Sequence, residues 1–107
     1  MNAEEIGTKA VDTISARGKE RDQPTGERSM LRTVEAFNAL TGASLTEREG
    51  WLFMVILKAA RSCNGRHNLD DYVDGAAYFM LAGECADDRR TVAFDAPERI
   101  SLTEVNT

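Results

Sequence analysis

The sequence predicts an all-α fold: a four-helix bundle-like domain with an antiparallel hairpin of its third and fourth helices and an irregular C-terminal arm. Apolar residues recur at helical spacing in four separate stretches, and residues that start or stop helices bracket those stretches. A chain of 107 residues that is 42% apolar can bury one small core. We therefore assign residues 1–90 to one helical domain and residues 91–107 to a tail that is partly extended or mobile.

The first predicted helix covers about residues 3–16. Asn2 and Glu5 have the spacing of a capping box, in which each side chain accepts a hydrogen bond from the other residue's backbone N–H. Gly18 follows the periodic stretch and is a typical helix stop. The charged residues from Arg17 to Glu27 have no apolar face, so we predict a loop there.

The second and third predicted helices are separated by a short turn. The second covers about residues 27–41 and ends before Gly42. Thr46 and Glu49 form a Thr-x-x-Glu capping box that begins the third helix, about residues 47–62. Because the third helix is apolar on nearly every side, we expect it to be the buried central element.

The fourth predicted helix covers about residues 69–86 and follows the third after a short link that contains Gly65. Such a link makes the two helices antiparallel neighbours. The fourth helix is rich in small residues, which let another helix approach closely, either within the chain or across a subunit interface. These residues are Gly75, Ala76, Ala77, Ala82 and Gly83.

Charge, hydropathy and cysteine content limit the classes of function. The net charge of −5 argues against direct binding to nucleic acid phosphates. The longest apolar run, from Trp51 to Leu57, is far shorter than the roughly 20 residues of a membrane span, and the acidic N-terminus lacks the order of a signal peptide. We expect a cytoplasmic protein, away from membranes, with Cys63 and Cys85 reduced.

Four charged residues are expected to meet across the predicted hairpin. Folding the chain about its turn pairs Lys58 with Asp74 and Arg61 with Asp71, and Tyr78 extends the same stripe. One interpretation is a salt-bridge network that sets the register of the hairpin. The alternatives are that the carboxylates bind a divalent metal or that the cations bind a phosphate.

A candidate metal site adds residues of the second helix to these carboxylates. Glu35 and Asn38 lie three residues apart, so both would point the same way from that helix. If the second helix packs against the fourth, Glu35 and Asn38 would join Asp71 and Asp74 as oxygen ligands, which suit Mg²⁺. The alternative is that Glu35 and Asn38 are ordinary exposed residues of an amphipathic helix.

The stretch from Arg17 to Arg32 carries more basic than acidic residues in an otherwise acidic chain. Arg17 and Arg21 are therefore candidates for contact with a phosphate or an acidic partner surface, and a solvated loop is the alternative. The sequence contains no recognisable nucleophile motif, zinc ligand set or glycine-rich phosphate loop, so no catalytic residue is predicted.

Three stretches of the sequence together resemble a family of small helical proteins from tailed phages and prophages. They are ERSMLRTVEAFNALTG, LTEREGWLFMVILKAARS and HNLDDYVDGAAYFMLAGE. The resemblance covers residues 11–86. It implies a phage or prophage origin and work in the cytoplasm of the host bacterium, and it implies no particular activity.

The segment that runs from Asp71 through Asp74 to Tyr78 is also similar to the acidic helix of MazG-type nucleotide pyrophosphohydrolases, which are all-helical. That resemblance implies an Mg²⁺ site of four carboxylates that faces the phosphates of a nucleotide. The second pair of carboxylates comes from a Glu-x-x-Glu helix, and this sequence has Glu35 and Asn38 instead.

We expect a phage-encoded accessory protein that binds a component of the bacterial host or of its defence systems, as an inhibitor or modulator. Under this hypothesis the protein forms a small homo-oligomer, with a dimer as the first expectation, and needs no cofactor. The alternative is an Mg²⁺-dependent nucleotide pyrophosphohydrolase or nucleotide-binding protein of the MazG type, in which Mg²⁺ neutralises phosphate charge and activates water. A third interpretation is mimicry of a nucleic acid by surface carboxylates.

Overall fold

The computed structural model describes residues 1–20 and 29–87, and these ranges form four helices. They are α1 (Ala3–Glu20), α2 (Ser29–Thr41), α3 (Glu47–Ser62) and α4 (Leu69–Asp87). Over the described ranges there is no strand, so the predicted all-α class is confirmed. None of the helices in these ranges combines the length and the apolar character that a membrane span requires.

Both predicted capping boxes form. The Asn2 backbone N–H donates to Glu5 Oε1 at 2.9 Å, and the Glu5 backbone N–H donates to Asn2 Oδ1 at 2.8 Å. At the start of α3, the Thr46 N–H donates to Glu49 Oε1 at 2.9 Å, and the Glu49 N–H donates to Thr46 Oγ1 at 3.1 Å. These bonds satisfy N–H groups that a helix leaves without an internal partner, so local sequence sets where α1 and α3 begin.

Two of the predicted glycine stops are confirmed, and the third is wrong. Gly42 and Gly65 have φ values of +77° and +69°, the left-handed conformation that ends α2 and follows α3. Gly18 instead lies inside α1, which continues to Glu20. A glycine stops a helix only where the chain turns left-handed, and Gly18 does not turn.

The predicted loop between the first two helices therefore begins later than expected. Residues 17–20 continue α1, although this stretch of the sequence has no apolar face. Three predictions lie outside the described residues. They are the start of the second helix at residue 27, the binding candidate Arg21, and the tail at residues 91–107.

The α3–α4 hairpin is the centre of the fold, with α1 packed on α4 and α2 packed on α3. One core cluster joins α2, α3 and α4, and Ile14 of α1 packs against it. Its buried members are Met30, Val34, Trp51, Tyr78, Leu81, Ala82 and Cys85. A second cluster, Ala10, Val73 and Ala77, joins α1 to α4. Since Ile14 packs against both clusters, α1 and α2 cover the same broad side of the hairpin.

The expectation that α3 is the central element is confirmed, but α3 is buried on only part of its circumference. Trp51 is buried and stacks on the ring of Tyr78 with the ring centroids 5.6 Å apart. Phe53 and Ile56, however, are 66% and 65% exposed. The helix is central because it contacts both α2 and α4, yet two neighbouring helices cover only part of its circumference.

Candidate functional site

An ion pair between Lys58 and Asp74 joins the two helices of the hairpin. Lys58 Nζ lies 3.1 Å from Asp74 Oδ2, and the side chains are only 12% and 20% exposed. Here the predicted pairing is confirmed. A charge in such a position needs a partner, because desolvation is costly and the opposite charge offsets it.

Arg17 of α1 also reaches this pair. Its Nη2 atom lies 3.9 Å from Asp74 Oδ1, and its Nη1 atom donates to the Tyr78 hydroxyl at 3.5 Å. The guanidinium also lies 5.6 Å from the centroid of the Tyr78 ring, within the range of a cation–π interaction. Four residues therefore connect three helices. We call them the polar cluster and define it by Lys58, Arg17, Asp74 and Tyr78.

The second predicted pair, Arg61 with Asp71, does not form. Arg61 is exposed, Asp71 is buried, and among the described residues no ion pair joins them. A step of three residues turns a helix by about 300°, so Arg61 lies about 60° around α3 from Lys58. Once Lys58 faces Asp74, Arg61 no longer points across the hairpin.

A shallow depression surrounds the turn of the hairpin. Its volume is about 460 Å³, and its lining contains three basic and three acidic side chains together with two asparagines. The lining residues are Lys58, Arg61, Arg66, Asp70, Asp71, Asp74, Asn64 and Asn68. Because the formal charges cancel, the depression does not have the positive excess that favours a phosphate or the negative excess that favours a cation.

The candidate metal ligands are not brought together. Among residues 1–20 and 29–87, no three side chains of His, Cys, Asp or Glu are arranged to hold a metal ion. The helix α2 packs on α3 and not on α4, which keeps the exposed Glu35 away from Asp71. Asn38 instead accepts from the Leu45 N–H at 3.0 Å and donates to the Leu45 carbonyl at 2.9 Å. These two hydrogen bonds of Asn38 thus stabilise the turn between α2 and α3.

A second surface consists of uncharged residues from both hairpin helices, and most of these residues are exposed. On α3 and α4 its residues recur at steps of four, three and four, so each set forms one stripe. We call this surface the open hairpin face and define it by Leu52, Ile56, Ala59 and Cys63 with Tyr72, Ala76, Phe79 and Gly83. No member is charged.

Helical geometry places the open hairpin face on the side of the hairpin away from α1 and α2. Successive residues turn by about 100° around a helix. Ile56 lies about 120° around α3 from Gly50, where an added Cβ would meet α2 side chains. Phe79 lies about 160° around α4 from Ala77, which packs on α1. Within residues 1–20 and 29–87, α1 and α2 therefore leave one broad side of the hairpin uncovered.

Three large side chains of the open hairpin face are strongly exposed, whereas Leu52 and Ala76 at its margins are half-buried and pack against the core clusters. Ile56 is 65%, Phe79 62% and Tyr72 44% exposed. The sequence had indicated close packing by the small residues of the fourth helix, and the structure separates these into two groups. Ala77 and Ala82 are buried and Gly75 and Ala76 are half-buried within the chain, whereas Gly83 is exposed.

The two cysteines also differ in position. Cys85 is fully buried in the core, while Cys63, directly after α3, is exposed on the open hairpin face. No disulfide joins Cys63 to Cys85. Cys63 is therefore a natural reporter for whatever covers this face.

Comparison with known proteins identifies the family of the chain. No match was found among curated proteins or among solved structures. The model of one protein family, described as Domain of unknown function (DUF6378), matches residues 6–86, a range that begins in α1 and ends in α4. The chain therefore belongs to the DUF6378 family.

Proposed function

We propose that this protein works by binding other protein chains and carries out no reaction of its own. The observation that supports this proposal is the open hairpin face, where two adjacent helices expose large apolar side chains without a charge between them. Single exposed apolar residues are common on soluble proteins, but a contiguous patch on two helices is typical of an interaction surface.

The polar cluster supports a structural role more than a catalytic one. Asp74 is held by Lys58 at 3.1 Å, and Arg17 lies on its other carboxylate oxygen. A carboxylate in such contacts is already neutralised, so binding a metal ion would first require breaking the ion pair. The Mg²⁺-dependent alternative also lacks a second carboxylate beside Asp74 from α2.

We extend the proposal to an accessory role toward a component of a bacterial host or of its defence systems. Its support is the likeness of the three sequence stretches to small phage and prophage proteins. The uncharged open hairpin face fits a protein partner with an apolar surface better than a nucleic acid, whose phosphates attract basic residues.

Alkylation of Cys63 tests the proposal. Iodoacetamide is applied to cells that naturally make the protein and to dilute purified protein, and mass spectrometry compares Cys63 with the buried Cys85 of the same molecules. We expect several-fold slower labelling of Cys63 in the cells, since a partner that covers the open hairpin face also covers this thiol. Equal labelling rates would contradict the proposal.

Ile56→Glu provides the matched control, because a charge on the open hairpin face should release the partner and restore rapid labelling of Cys63 in cells. Leu40→Glu introduces the same charge on α2, where Leu40 is 87% exposed and outside the face. This second variant should leave the protection unchanged.

A further inference from the structure

We propose that the open hairpin face binds a second copy of this chain, so that two α3–α4 hairpins pack into an intermolecular four-helix bundle. This inference rests on the proposed function and names one occupant of its surface. The contact would be isologous, since the same face serves both copies and each residue makes its contacts twice.

The absence of charge on the open hairpin face favours a like partner. The whole chain has a net charge of −5, so two copies repel each other at long range. No charged residue interrupts the two stripes of the face. The face can thus meet its own copy without placing like charges opposite each other, which would destabilise the contact.

Large and small side chains alternate along α4 in a way that suits packing of helix against helix. The stripe contains, in order, Tyr72, Ala76, Phe79 and Gly83, of which Ala76 is half-buried and the other three are exposed. In helix pairs a large side chain fits into the space beside a small one, so alternation makes a surface complementary to itself.

Gly83 has no close neighbour among the residues that the structure describes. A Cβ added there would meet no atom of residues 1–20 or 29–87 within 4 Å, although Gly75 of the same helix lies close to Lys58 of α3. Glycine inside a helix lowers its stability relative to alanine, so a glycine without a close neighbour is unfavourable in the monomer. Close approach by a second helix gives this position a use.

The size of the face predicts a dimer of moderate affinity. Its stripes span eleven residue steps on two adjacent helices, which corresponds to a footprint of roughly 20 by 20 Å, or about 400 Å² per copy. Stable specific interfaces bury about 800 Å² per partner. Phe53, 66% exposed at the edge of α3, widens the contact. We expect an equilibrium between monomer and dimer in the micromolar range.

Analytical ultracentrifugation of the full chain in reductant, from low micromolar to several hundred micromolar, tests the dimer. The expected result is a monomer at the lowest concentration and a dimer at the highest. Phe79→Glu should weaken dimerisation at least tenfold, while Leu40→Glu, with the same charge change outside the face, should alter it less than twofold. A monomer at every concentration would overturn the inference.

Gly83→Leu distinguishes close packing at this position from nonspecific association through apolar surface. The substitution adds apolar surface and favours the helix, so the melting temperature of the dilute monomer should not fall. A dimer that packs against Gly83 should nevertheless weaken several-fold, whereas association by undirected apolar contact should strengthen. Stronger association of this variant would contradict the packing that we propose.

Cys63 distinguishes the failure of this inference from that of the proposed function. In a dimer of the purified chain, alkylation of Cys63 should slow as the concentration rises, without a change at Cys85. If the purified chain remains monomeric while Cys63 is protected in cells, another protein occupies the face. In that case the second copy is excluded and the proposed function stands.

Discussion

Lys58 Nζ lies 3.1 Å from a carboxylate oxygen of Asp74, and this ion pair joins α3 to α4 across the hairpin. Arg17 approaches the other oxygen of the same carboxylate from α1. Asp74 is thus the residue at which three helices meet. Substitutions of the residues in the polar cluster can test how much each contributes to the free energy of unfolding.

Replacement of Asp74 by Ala should lower the free energy of unfolding by about 2 kcal/mol, because Lys58 would keep its charge in a largely buried position without its partner. Urea denaturation followed by circular dichroism measures this loss. Asp70→Ala, at an exposed carboxylate on the same helix, is the control and should cost less. Equal losses from the two substitutions would show that the ion pair contributes nothing specific.

Replacing both partners of the ion pair should be less harmful than removing one. In Lys58→Met with Asp74→Leu, no unpaired charge remains and apolar side chains fill the space. We expect the double variant to be more stable than Asp74→Ala by about 1 kcal/mol. A double variant less stable than Asp74→Ala would mean that the charges also hold the fold together through contacts beyond this pair.

Arg17→Met should weaken the attachment of α1. Methionine retains much of the apolar stem but removes the guanidinium from Asp74 and from the Tyr78 ring, at a cost of about 1 kcal/mol. Hydrogen exchange should become faster in the second half of α1, while the α3–α4 hairpin keeps its protection. Lys9→Met, an exposed position on the same helix, should leave the exchange pattern unchanged.

Gly50→Ala should loosen the contact between α2 and α3. A Cβ at this position would lie 2.5 Å from Met30 Sδ and 2.7 Å from Val34 Cγ1, so these side chains of α2 must shift, with a loss of roughly 1–3 kcal/mol. Gly7→Ala is the matched control on α1, where an added Cβ meets nothing within 4 Å. There we expect a gain of about 0.5–1 kcal/mol from helix propensity alone, measured by thermal denaturation.

Calorimetric titration of the protein with Mg²⁺, and separately with a preformed complex of Mg²⁺ and a nucleoside triphosphate, should give no saturable heat beyond that of dilution. The carboxylates that a MazG-type site requires do not converge in the described residues, and Asp74 is already paired. Chromatography of the nucleotide after incubation checks for hydrolysis. Saturable Mg²⁺ binding that Asp71→Asn abolishes would restore the metal hypothesis.

Local sequence predicted the ends of the helices well. The capping boxes at Asn2 and Thr46 and the left-handed glycines at Gly42 and Gly65 act through hydrogen bonds and backbone conformation within a few residues. Gly18 shows the limit of that reasoning, since a glycine permits a left-handed turn without requiring one.

The candidate site was predicted only in part. The pair of Lys58 and Asp74 followed from folding a hairpin about a short link, whereas the pair of Arg61 and Asp71 required a helix rotation that the sequence does not specify. Arg17 was a candidate for a phosphate or an acidic surface, and its contact with Asp74 depends on how α1 lies on α4.

The sequence by itself thus determined that the chain is helical, where α3 and α4 begin and end, and that these two form a hairpin. Only the tertiary structure decided which sides of that hairpin are covered. It placed α1 and α2 over one side and left Ile56 and Phe79 exposed on the other. The reason is physical: a helix cap depends on neighbours in sequence, whereas burial depends on how residues far apart in the chain pack in space.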